Sequence, residues 1–147
     1  MSDPDDEQSF RRRFKVELFI VHPTMDPAAI AAALGLDGHI VHPVGARRMT
    51  RKGTLLPGTY QDTRCRHSVR YEIRDQWFAN AVAELVDRLV PHRTFLRDLR
   101  STGGMAYINL EFLGDGYFSD AIPRDVLAKL VDLELDLGLA SYAVPQA

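Results

Sequence analysis

The chain has 147 residues, 46% of them hydrophobic and 26% charged, with a net charge of −2. These values describe one globular domain able to bury a core, and they exclude a disordered polyampholyte or a collagen-like chain. A single cysteine, Cys65, excludes an intramolecular disulfide and points to a reducing, cytoplasmic setting.

Met1–Gln8 is acidic, and no long apolar run follows, so neither a signal peptide nor a membrane span is expected. Residues 1–12 read as a disordered tail and residues 13–147 as a single α+β domain. Phe14–Val21 alternates apolar and polar residues as a half-buried strand does, and His22-Pro23 ends it. Thr24 or Asp26 is the expected cap of a short alanine-rich helix that Gly35 closes, and Asp26-Pro27 matches the N-cap and first-turn preferences. From Asp37 to Thr63 the chain holds four glycines and two prolines, and a long excursion with at most one hairpin is expected. His39–Val44 and Leu55-Leu56 are its strand candidates.

Arg66–Arg74 alternates again, with Val69, Tyr71 and Ile73 on one side and Ser68, Arg70, Glu72 and Arg74 on the other. Asp75 is the expected cap of the helix around which the chain is organised. That helix presents Phe78, Val82, Leu85, Val86 and Leu89 on one face and Asn80, Glu84, Asp87 and Arg88 on the other. Pro91 should stop or kink it, and a second helical piece carries Phe95, Leu96 and Leu99 inward. Met105–Leu113 is a strand with Ala106, Ile108, Leu110 and Phe112 inward. Arg124–Leu133 is a helix expected to bury Val126, Leu127, Leu130 and Val131. Leu135–Val144 is the last strand, with Gly138 favouring the break before it.

This order predicts a ferredoxin-like α/β sandwich, a mostly antiparallel sheet with helices on one face and an extra helix and strand at its C-terminal end. The run from Phe14 through His22-Pro23-Thr24-Met25-Asp26-Pro27 to Leu34-Gly35-Leu36 resembles the opening of a bacterial family known as domain of unknown function 4279. Arg51-Lys52-Gly53 is similar to that family's basic residue before glycine. Leu127-Ala128-Lys129-Leu130 with Leu135-Asp136-Leu137 is similar to its last helix and strand. The family often has tryptophan after the Lys-Gly loop, where His67 stands here. The resemblance spans about Phe14–Val144. It implies a small intracellular α+β domain without a known activity, and relatives that look like parts of toxin–immunity systems imply protein binding.

Charge is unevenly spread. The segment from Arg47 to Arg74 carries +6, and the rest of the chain −8. The candidate binding residues are therefore Arg47, Arg48, Arg51, Lys52, Arg64, Arg66 and Arg70, with Tyr107 beside them on the outward sheet face. That face is expected to hold Glu17, Arg70, Glu72, Arg74, Tyr107, Asn109, Glu111 and Tyr142. Phe19 and Val21 give it an apolar edge that would suit a homodimer. Alternating acids and the lack of an aromatic-rich strand make an RNA-stacking sheet the weaker reading.

His22, His39, His42, Cys65 and His67 could supply zinc ligands, but their spacing matches no zinc signature, and no metal or cofactor is expected. Arg64 and Arg66 would lower the Cys65 thiol pKa, yet no orienting group or oxyanion motif accompanies it, so no catalytic residue is assigned. The expected function is a non-enzymatic protein-interaction module, of immunity type or self-associating, with an anion or nucleic-acid binder as the second reading. A small enzyme with an unrecognised site comes third.

Overall fold

The computed structural model describes residues 13–36, 40–72, 77–114 and 119–142, with no side chain described at 40 or 69–72. The expected tail at 1–12, His39, Ile73, Arg74 and Asp75 lie outside the described residues. In chain order the elements are β1 (Arg13–His22), α1 (Pro27–Leu34), β2 (Ile40–His42), β3 (Arg47–Met49), β4 (Leu55–Thr59), β5 (Thr63–Glu72), α2 (Phe78–Leu89), α3 (Arg93–Ser101), β6 (Met105–Leu113), α4 (Arg124–Asp132) and β7 (Asp136–Tyr142).

The fold is α+β, built on an open, mixed sheet of five strands in the order β2-β5-β1-β6-β7. Three of its pairings are antiparallel; β6 and β7 run parallel, with α4 as the crossover between them. β3 and β4 form a separate two-stranded hairpin. The long excursion thus contains β2 and one hairpin.

The helices share one face of the sheet. From β1 the core takes Phe14, Val16, Leu18 and Ile20; from β6 it takes Ala106, Ile108 and Leu110; from β5, Cys65. These residues are in register with one another, Leu18 opposite Ile108 and Ile20 opposite both Ala106 and Cys65. Ile30 and Leu34 of α1, Val82, Leu85, Val86 and Leu89 of α2, Leu96 and Leu99 of α3, and Val126 and Leu130 of α4 close over them. The apolar stripe of α2 therefore packs as its spacing requires.

Local chemistry sets the element ends. The Asp26 carboxylate accepts the Ala28 N–H at 2.9 Å, and Gly35 takes a left-handed φ of 62° while donating to the Ala31 carbonyl. Pro91 sits in a single 3-10 turn, Val90–His92, that bends the chain from α2 into α3. The N-cap of α2 is Trp77, without a side-chain cap bond of its own, rather than Asp75. The Asp120 carboxylate, from the segment before α4, accepts the Ala79 N–H at 3.2 Å instead. A cap delivered from 41 residues away leaves no trace in local sequence.

Two expectations at the C-terminal end are corrected. Leu127 and Val131 of α4 are exposed rather than buried. Lys129 bonds Asp87 of α2, and Asp132 bonds Arg93 and Arg97 of α3, so the helices that flank α4 among the described residues stand on that side. Leu127 and Val131 lie on the opposite flank. The helix-to-strand break falls at Glu134, which takes a φ of 56°, and not at Gly138. Gly138 lies inside β7, where a Cβ would come within 2.7 Å of Asn109 Oδ1. That glycine answers to a neighbouring side chain, not to a turn.

Candidate binding surface

The sheet face turned away from the helices is built from the alternate residues of the same strands. Register sets Lys15, Glu17 and Phe19 of β1 between Arg66 and Ser68 of β5 on one side and Tyr107, Asn109 and Glu111 of β6 on the other. Glu17 is only 4% exposed. Its carboxylate accepts the Ser68 hydroxyl at 2.7 Å and lies 3.4 Å from Lys15 Nζ and 3.9 Å from Arg66 Nε. Lys15 also pairs with Glu111 at 2.8 Å. The Lys15 ammonium stays above its ordinary pKa, because its bonds to Glu111 and Glu17 outweigh the burial that alone would lower it.

One row along the strands is aromatic. Arg66 lies over the Phe19 ring at 4.7 Å, and the Tyr107 ring centre is 4.9 Å from that of Phe19. Phe19 is thereby buried by its cross-strand neighbours. It does not offer the apolar dimer edge that its sequence position suggests.

The basic residues divide into two groups. Arg47 and Arg48 lie in β3, and Arg51 and Lys52 in the turn that follows; all four are exposed. Arg64 and Arg66 stand on the sheet face, and the backbone of Arg70 pairs with Lys15, its side chain lying outside the described residues. Arg64 holds Asp62 at 2.8 Å, which raises its pKa further.

A stack joins the two groups. His42, paired with Arg64 in the β2–β5 register, lies 4.4 Å from the Tyr60 ring at an interplanar angle of 8°. Tyr60 in turn exchanges backbone bonds with Gly45 and Ala46 at the base of the hairpin. The buried Thr63 hydroxyl accepts the Val44 N–H at 3.0 Å on the other side of that base. The hairpin is therefore anchored at the β2 edge, beside the Arg64 end of the open face. Burial first, and then the Arg66 and Arg64 charges, hold His42 below its ordinary pKa. Sequence reasoning missed this stack. Its one legible signal was the place of His42 in a strand that pairs with the arginine-bearing one.

The other candidate ligands are scattered. His22 faces the helix layer, where its Nδ1 accepts the Thr24 and Met25 N–H groups at 3.0 and 2.8 Å and its Nε2 lies 2.9 Å from the Thr102 hydroxyl. It is a fastening between β1 and the end of α3. Cys65 and His67 also lie on the helix side. Among the described residues, no three of His, Cys, Asp or Glu gather to hold a metal. Cys65 is buried, and desolvation raises its thiol pKa. Arg64 and Arg66 do not lower it, since successive strand residues project to opposite faces. A cavity of about 40 Å³ beneath α1, lined by Leu18, Ile30, Leu34 and Cys65 among others, has room for water but not for a metabolite.

No protein-family model, curated protein or solved structure matches the chain. No described helix is long and apolar enough to cross a membrane.

Proposed function

We propose that this chain is a non-enzymatic interaction module that binds an acidic protein surface. Arg47, Arg48, Arg51 and Lys52 on the hairpin and Arg64, Arg66 and Tyr107 on the open sheet face carry the contact. The observation behind this reading is the His42–Tyr60 stack, which ties an exposed basic arm to the arginine-bearing side of the sheet. Exposed charges of one sign set the association rate and its salt dependence more than they set the affinity.

The strand order β6-β1-β5-β2 is read as a ferredoxin-like sheet, with the β3–β4 hairpin inserted and α4 and β7 appended. The resemblance to the domain of unknown function 4279 family favours the same class of function, an immunity-type binder in a bacterial cytoplasm, and the lone buried Cys65 agrees with a reducing compartment.

Tagged protein captured from its native cells, with and without nuclease, tests the reading against the variant Arg47→Glu/Arg48→Glu/Arg51→Glu/Lys52→Glu. A stoichiometric protein that survives nuclease and is lost with the variant supports it. Recovery of nucleic acid, with binding that falls log-linearly with salt, would replace it with the second reading, a polyanion binder on the same arm. Equal capture by the variant and the parent chain excludes the arm.

A further inference from the structure

We infer that the basic arm takes an acidic peptide segment with a large apolar side chain among its carboxylates, and that Met49 and Leu55 seat that side chain. The inference rests on the arm being a protein-binding element, and it names the chemistry of the partner. Met49 and Leu55 are directly paired across the β3–β4 hairpin. Their side chains therefore share one face of it, with Cβ atoms roughly 5 Å apart. They are 49% and 52% exposed. Arg47 and Arg48 precede this apolar pair, and Arg51 and Lys52 follow Met49 in the turn. Among the described residues, no acidic side chain pairs with any of the four cations.

The tip is closed by its own bonds. The Thr50 N–H donates to the Thr54 carbonyl at 2.8 Å, the Gly53 N–H to the Thr50 carbonyl at 2.9 Å, and the Thr54 N–H to the Thr50 hydroxyl at 3.0 Å. The Tyr60 hydroxyl lies 3.5 Å from the Met49 nitrogen, so the ring that stacks on His42 also reaches the apolar pair. A partner therefore has little of the arm to order on binding. Charge and the apolar pair together select the occupant. A phosphate backbone is held by charge alone and leaves Met49 and Leu55 without a role. A bilayer fits poorly, because the pair stands behind a tip of Arg51, Lys52 and Gly53, and sinking it into acyl chains would carry two cations in ahead of it. An acidic segment with an apolar side chain answers both features. Its carboxylates meet the cations at the rim while its apolar side chain covers the pair at the centre.

The test is titration of the full chain with two synthetic peptides of aspartates and glutamates, one with Leu-Phe at its centre and one with Ser-Ser, read by fluorescence anisotropy. The chain is expected to bind the Leu-Phe peptide about tenfold more tightly. Met49→Ser/Leu55→Ser should bring the two peptides to equal affinity, with heparin binding and the circular dichroism of the parent unchanged. Arg47→Glu/Arg48→Glu/Arg51→Glu/Lys52→Glu should lose both peptides. Equal affinity of the parent chain for both peptides, with both lost in the four-charge variant, overturns the inference and leaves the charged arm as a binding element. Peptide binding that the four-charge variant does not change overturns the arm reading and the inference with it. Phosphatidylserine vesicles that bind the parent chain and not Met49→Ser/Leu55→Ser, with no preference between the peptides, would assign the pair to a lipid surface instead. No binding of either peptide at submillimolar chain overturns the inference, while the arm itself is still scored by capture.

Discussion

Along β1, Phe14, Val16, Leu18 and Ile20 lean into the helix layer while Glu17 and Phe19 lean the other way, and both sets are screened from solvent. The helix-side residues are covered by elements distant in sequence, through apolar contact that is indifferent to direction. The open-face residues are covered by the side chains of the two neighbouring strands: Arg66 and Tyr107 over Phe19, Lys15 and Ser68 around Glu17. One face is therefore held by area. The other depends on pairs of groups that must be present together.

If that distinction holds, deletions on the helix side should be the more damaging. Leu89 is fully buried at the end of α2, within a cluster drawn from all four helices. Leu89→Ala is expected to cost about 2–5 kcal/mol, transfer and cavity combined, and Leu85→Ala a value in the same range. Urea unfolding should show a lower midpoint at unchanged slope. A loss below about 0.5 kcal/mol would mean that the helix layer is not packed as described.

On the open face the expected result is non-additivity. Glu17→Ala leaves Lys15 and the Ser68 hydroxyl without the carboxylate they converge on, at a cost of about 1–3 kcal/mol. Glu17→Leu combined with Lys15→Met removes both charges and keeps the volume. It should cost less than the sum of Glu17→Leu and Lys15→Met measured singly, because the two side chains belong to one ion-pair network, in which Glu111 also holds Lys15 at 2.8 Å. A double-mutant cycle with no coupling would reduce the face to an ordinary solvated surface.

The two faces were not equally legible in the sequence. Period-two alternation at Phe14–Val21 and Met105–Leu113, and the Phe78–Leu89 stripe, announced the helix-side core, because apolar burial follows spacing. The same rule failed at Leu127 and Val131: it counts apolar positions on a helix without knowing whether a neighbour stands on each flank. Gly138 read as a break because its reason, Asn109 across the β6–β7 pairing, is 29 positions away. The Asp120 cap on α2 was hidden in the same way. Of the candidate site, the basic residues of 47–66 were visible as charge. Their division into arm and sheet face was not, and neither was the His42–Tyr60 stack that joins them. Phe19 looked like an exposed apolar residue until strand register placed Arg66 and Tyr107 on either side of it.

The smallest effect separates burial from charge at the junction of arm and face. His42 is held below the ordinary histidine value of 6.5 by burial first, then by Arg66 and Arg64. The fold therefore favours the neutral ring. Above 6.5 the ring is neutral in folded and unfolded chains alike, and its contribution to stability is fully present. As the pH falls below 6.5, the unfolded chain takes up the proton first, so that contribution declines until the folded ring also titrates. An NMR titration should place the His42 midpoint below 6.5. Arg66→Gln should raise it part of the way back, because the desolvation beside Tyr60 remains. A midpoint at or above 6.5 in the parent chain would place the ring in open solvent, away from the arginines and Tyr60. Full recovery in Arg66→Gln would assign the whole effect to charge. If the midpoint is lowered and only partly recovered, the ring is wedged between the hairpin and the sheet, and protonation below that midpoint adds a positive charge where the arm meets the face.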